Sequence, residues 1–287
     1  MDVDAVAGLG VRRWGSSSGR DPVVLALHGL TSTSAVWADL ARRLASGVVA
    51  PDLPGRGASV DVRAAPGLPG LAAAVLRVAD DLGLERVVVV GHSMGAFLAP
   101  LVVAGLGDRA VGTVLLDGGA APERSPLHRP LVVRTLVGLQ MRRLVRDWED
   151  VEAYTAAAEG RAAAGRADLR DGLHAWSEAV LRPHEGALRP ALDPRRVVAD
   201  AVDSLCRPPH LPLLQRTAAP VHLVAAVHGA DEARGPFLSD RAVAAAARLL
   251  PRLTWERAQA THATMLFDPA IATSVARVAD GGRDLPR

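Results

Sequence analysis

Four consecutive valines, Val87 to Val90, lead without a break into Gly91-His92-Ser93-Met94-Gly95 and then into an apolar stretch from Ala96 to Leu106. A strand presents alternate side chains to opposite faces, so four valines in a row need cover on both sides. That excludes a sheet with one wet face and asks for helices on either side. Similar apolar runs recur at Val23–Leu27, Val48–Ala50, Val111–Leu116 and Val221–Val227. Helical patterns separate them at Ala35–Ala45 and Leu71–Leu82. Val3–Ala7 and Val11–Trp14 read as an opening hairpin, Leu253–Glu256 as a last strand and Pro269–Ala279 as a closing helix. The predicted fold class is α/β, a mostly parallel central sheet flanked by helices.

The alternation stops between Ala121 and Thr217. This stretch is rich in Arg, Glu, Trp and Ala, has helical spacing and shows no clear strand. Residues 1–120 and 218–287 therefore read as one core, and 121–217 as a helical cap or lid over one end of the sheet. Tyr154, His174 and Trp176 within it are candidate pocket contacts, and Arg142, Arg143 and Arg146 candidate partners for an anionic group. Ordinary amphipathic helices explain each of them as well.

Composition excludes several classes. With 49% hydrophobic and 22% charged residues the chain is globular rather than disordered. A net charge of +2 gives no ground for a nucleic-acid or membrane partner. The single cysteine, Cys206, permits no internal disulfide. No basic and apolar leader opens the chain, and the apolar stretch Ala96–Leu116 is broken by Asp108 and Arg109. A cytoplasmic protein is expected, its oligomeric state open. No zinc-binding spacing, Walker sequence or dinucleotide fingerprint occurs, so neither metal nor cofactor is expected. His222 and His228 flank one strand without a third ligand and read as structural.

The five residues after the valines carry the chemistry. A nucleophile must project from a tight turn at the carboxyl end of a strand, and Gly91 and Gly95 leave room where a Cβ would collide with backbone. The following helix offers free N–H groups and positive potential to a developing oxyanion. G-x-S-x-G between a strand and a helix is the context this motif requires.

Here the chain resembles the α/β-hydrolase family, and other motifs agree. His28-Gly29-Leu30-Thr31 follows the third strand, Trp37 lies in the next helix, and Asp52-Leu53-Pro54-Gly55-Arg56-Gly57-Ala58-Ser59 looks like the family's D-x-x-G-x-G-x-S turn. Thr261-His262-Ala263 lies between the last strand and helix. The resemblance implies an α/β-hydrolase fold, Ser93 as nucleophile and His262 as general base. It implies an oxyanion hole from the N–H groups of Leu30 and Met94. His92 is given packing beneath the nucleophile, His28 support of the oxyanion loop, and Arg56 and Ser59 a turn. The acid departs from the pattern. Its usual slot after the Val221–Val227 strand falls near Gly229, which has no carboxylate. Asp231 lies two residues later, and Asp117 after the Val111–Leu116 strand competes with it. The expected activity is hydrolysis of an acyl bond, first a carboxylic ester of a small or medium apolar substrate, with thioester, lactone, amide and C–C bonds open on the same triad, and with no cofactor. A non-catalytic small-molecule-binding protein and a cofactor-free isomerase or cyclase using His262 as base are the alternatives.

Overall fold

The computed structural model describes residues 3–15, 21–120, 129–162, 169–207, 210–229 and 235–282. Strands β1 (Asp4–Val6), β2 (Leu9–Trp14), β3 (Val23–Leu27), β4 (Val48–Pro51), β5 (Val87–His92) and β6 (Ala110–Leu116) alternate with helices α1 (Ala38–Arg43), α2 (Leu68–Asp81) and α3 (Met94–Leu106). After an inserted segment come β9 (Val221–Ala226), α8 (Asp240–Leu249), β10 (Leu253–Ala258) and α9 (Pro269–Ala279). The eight strands lie in the order β1-β2-β4-β3-β5-β6-β9-β10. The β1 and β2 strands pair antiparallel at one edge, β2 meets β4 antiparallel, and the remaining pairs are parallel.

The valine run behaves as its pattern requires. Val87 and Val89 join the hydrophobic layer beneath α2, α3 and α8, while Val88 and Val90 join the layer beneath α1 and α9. All four are fully buried. Such double burial removes apolar area from water on both faces, about 25 cal/mol per Å². The sheet is mostly parallel and covered by helices on both sides, as expected.

The inserted segment between β6 and β9 holds α4 (Pro130–Leu144), α5 (Val151–Ala162), α6 (Arg170–Val180) and α7 (Pro194–Cys206). It also contains a two-stranded antiparallel hairpin, β7 (Leu181–His184) with β8 (Ala187–Pro190). The expectation of an insertion without strands is corrected on this point. Glu185 and Gly186, both at positive φ, supply the two-residue turn that matches strand twist. Among the described residues, no helix is long and apolar enough to cross a membrane.

Candidate active site

The turn between β5 and α3 is tight enough to dictate its residues. Ser93 sits at φ 54° and ψ −117°, a conformation that L side chains rarely adopt. A Cβ on Gly91 would lie 2.3 Å from the carbonyl oxygen of Gly95, and one on Gly95 would lie 2.0 Å from that of Leu27. Only glycine fits at either position. Ser93 N–H donates to Leu116 O at 2.9 Å, fastening the turn to the next strand. Met94 opens α3, so its N–H has no carbonyl four residues back to bond.

The loop after β3 packs directly on this turn. A Cβ on Gly29 would stand 3.4 Å from the Cβ of Ser93, which brings Leu30 beside the serine. Buried His28 holds the loop in shape. Its Nε2 accepts the N–H of Leu53 at 2.9 Å, leaving the Nδ1 hydrogen for Gly29 O at 2.8 Å. Burial pushes its pKa down to about 4, so the ring is neutral and keeps that tautomer.

His262 follows β10 and is placed from three directions. Its N–H donates to Gly229 O at 2.8 Å. Its carbonyl accepts from His92 Nε2 at 2.8 Å, and the two rings lie tilted by 40° with centroids 4.7 Å apart. Its Nδ1 lies 2.6 Å from Asp117 Oδ2. Asp117 follows β6 at φ 43°, is completely buried, and takes the N–H of Ala226 on Oδ1 at 3.2 Å. Asp231, the other candidate acid, lies outside the described residues. His92 is buried and held neutral by desolvation, then by its neighbour His262. His222 is engaged by Thr254 at 2.8 Å and Glu256 at 3.2 Å, away from the serine.

Ser93 and His262 face one cavity of about 330 Å³. The core supplies Leu30, Val36, Leu266 and Phe267, and the inserted segment supplies Leu144, Tyr154, Leu173 and Trp176. Trp176 Nε1–H donates to Ser32 Oγ at 3.1 Å, which ties α6 to the loop beside the serine. Among the described residues, no Asp, Glu or Arg lines this cavity. Arg146 instead covers the ring of Trp148 at 4.1 Å. Sequence reasoning did not single out Leu173, Leu266 or Phe267. The Leu173–Trp176 spacing of one helical turn was the available signal, since it puts both side chains on one face of α6.

Comparison with known proteins agrees with this fold. The alpha/beta hydrolase family matches residues 23–275. The lipase LipV of Mycobacterium tuberculosis is 37% identical over 119 residues, 41% of this chain and 44% of that protein. An uncharacterised protein of the same organism is 37% identical over 94 residues, 31% of this chain. The chain thus matches only 27% of the length of that relative, and less than half of the lipase. A solved E-2-(acetamidomethylene)succinate hydrolase superposes with a TM-score of 0.77 over 95% of both chains at 24% identity, a likeness of fold.

Proposed function

The chain belongs to the alpha/beta hydrolase family, and on that premise we propose that it is a serine hydrolase cleaving a carboxylic ester of a small or medium uncharged substrate. One observation carries the reading. Ser93, held in a left-handed turn, shares a cavity with a histidine whose Nδ1 is 2.6 Å from a buried carboxylate. With Nδ1–H directed to Asp117, His262 keeps its Nε2 lone pair free to take the Ser93 proton. Ser93 Oγ then attacks the ester carbonyl carbon. The resulting oxyanion accepts hydrogen bonds from Leu30 and Met94 N–H. His262 returns the proton to the leaving alcohol as the C–O bond breaks, giving an acyl-enzyme. Water, deprotonated by the same ring, attacks the acyl carbon and releases the acid with Ser93 restored.

The cavity supports the substrate class. About 330 Å³ is at the small end of ligand pockets, and its described lining is apolar apart from Thr31, Ser32, Ser93, Gln140, Tyr154 and the two histidines. The partial likeness to a lipase agrees with ester chemistry. A cytoplasmic location stays part of this proposal.

The experiment is labelling with a fluorophosphonate, mapped by mass spectrometry, followed by turnover of ester and thioester series of graded chain length. Labelling at Ser93 that vanishes in Ser93→Ala and His262→Ala is expected. A folded wild-type protein that takes no label at Ser93, or a turnover that survives Ser93→Ala, overturns the proposal. The second outcome favours an isomerase or cyclase working from His262 alone.

A further inference from the structure

Arg56 is a fully buried guanidinium with no part in the proton transfers above. Two of its contacts fall on the candidate oxyanion hole. Nε–H donates to Leu30 O at 3.0 Å, Nη1–H donates to Pro54 O at 2.8 Å, and Nη2 touches Met94 Sδ at 3.7 Å. The two residues whose N–H groups would hold the oxyanion are thus both in contact with one side chain. The counter-charge comes from the inserted segment: Nη1–H also donates to Asp200 Oδ2, on α7, at 2.5 Å. Asp200 is itself fully buried and accepts from Gly67 N–H at 2.9 Å and from Arg196 Nε–H at 3.1 Å.

The backbone around Arg56 is fixed to the same partner. Gly57 N–H donates to Ala191 O at 2.8 Å and Asp193 N–H to Gly55 O at 2.9 Å. Arg182 of the hairpin donates to Gly57 O. A Cβ on Gly55 would lie 2.8 Å from Arg196 Cγ, so the loop and α7 are in close contact there. Without Asp200, a buried cation would lose its neutralising charge and be drawn toward water. Its hold on Leu30 would go with it.

We infer that Arg56 is a positioning residue of the oxyanion hole, charge-locked by Asp200, so that α7 of the inserted segment sets the geometry of the loop that stabilises the transition state. This rests on the serine-hydrolase reading for its catalytic consequence. The positioning of the loop is testable without it.

The decisive variant is the double substitution Arg56→Met with Asp200→Leu. Replacing an isolated buried ion pair by apolar residues of similar volume is often neutral, but Asp200→Leu also removes the carboxylate shared by Arg196 and Gly67 N–H, so a lowered melting temperature is expected and the readouts are taken on folded protein well below it. A purely structural pair would then leave function intact. A positioning role instead predicts amide hydrogen exchange at residues 29–33 faster by about tenfold or more. It also predicts a fall in kcat on the order of a hundredfold with KM little changed, and a parallel loss of affinity for a trifluoromethyl ketone. Wild-type exchange at 29–33 in a folded double variant overturns the inference, whether or not the protein hydrolyses esters. Absent turnover in the wild type, with exchange raised in the variant, sinks the hydrolase reading and leaves the positioning intact. Should the double variant not fold, Arg56→Lys carries the test. Its ammonium can neutralise Asp200 but lacks the planar fork that reaches Leu30, Pro54 and Asp200 together. The same faster exchange is expected, and unchanged exchange with unchanged kcat overturns the inference.

Discussion

Ser93 and Asp117 both take positive φ, 54° and 43°, without being glycine. Such conformations cost about 1–3 kcal/mol each and persist where the surroundings hold them. Here they hold each other. A Cβ on Gly118 would lie 2.5 Å from Ser93 O, so the turn after β6 packs directly under the serine turn. Asp117 is the residue whose role the sequence left in competition with Asp231. The strand ends were readable, but which carboxylate reaches His262 depends on a contact 145 residues apart. If His262 works as proposed, changing Asp117→Asn removes the charge beside its Nδ1 and spoils the tautomer. A fall in kcat of about 10⁴ is expected, with Asp231→Ala little changed. Steady-state ester hydrolysis on both purified variants checks this, and the reverse pattern would reassign the acid.

At the scale of elements, α2 shows why part of the fold escaped sequence reasoning. Its N-cap is Gly67, which has no side chain to cap the first turn. The missing acceptors arrive from α7, where Asp203 Oδ2 takes the N–H of Leu68 at 2.7 Å and Asp200 Oδ1 that of Gly67 at 2.9 Å. Capping signals are read from the residue just before a helix, and these lie about 130 residues downstream. The β7–β8 hairpin was hidden for another reason. Each strand has four residues, both end in or contain proline, and neither shows clean alternation of buried and exposed positions. By contrast β3, β5 and α9 were legible because their burial is continuous or strictly periodic. Asp203→Ala is expected to cost about 1 kcal/mol, the worth of a helix cap, with ester turnover unchanged. Urea unfolding measures the first and steady-state kinetics the second; an unshifted midpoint would refute the cap.

For the whole molecule, three buried or largely buried histidines make stability depend on pH. Desolvation holds His28 at about 4, His92 well below 6.5, and His222 below its ordinary value. In the unfolded chain each titrates near 6.5. Above 6.5 neither state binds these protons and their contribution is constant. Below 6.5 the unfolded chain binds these protons more readily than the folded one, for His28 down to about 4, so stability falls as pH falls. Melting temperatures are expected to decline from just below pH 6.5, before most carboxylates begin to titrate. A flat profile from pH 7 to 5 would refute this. The Arg56–Asp200 pair bears on how such a chain can be rebuilt. The inserted segment gives the cavity much of its wall, which makes it the obvious piece to exchange for another protein's in a chimaera. A graft without an acid at the place of Asp200 would strand a buried guanidinium in the recipient core and take one acceptor from the start of α2. The donor must carry that carboxylate, or the host must first give up Arg56; substrate range and catalytic core do not trade as separate modules here.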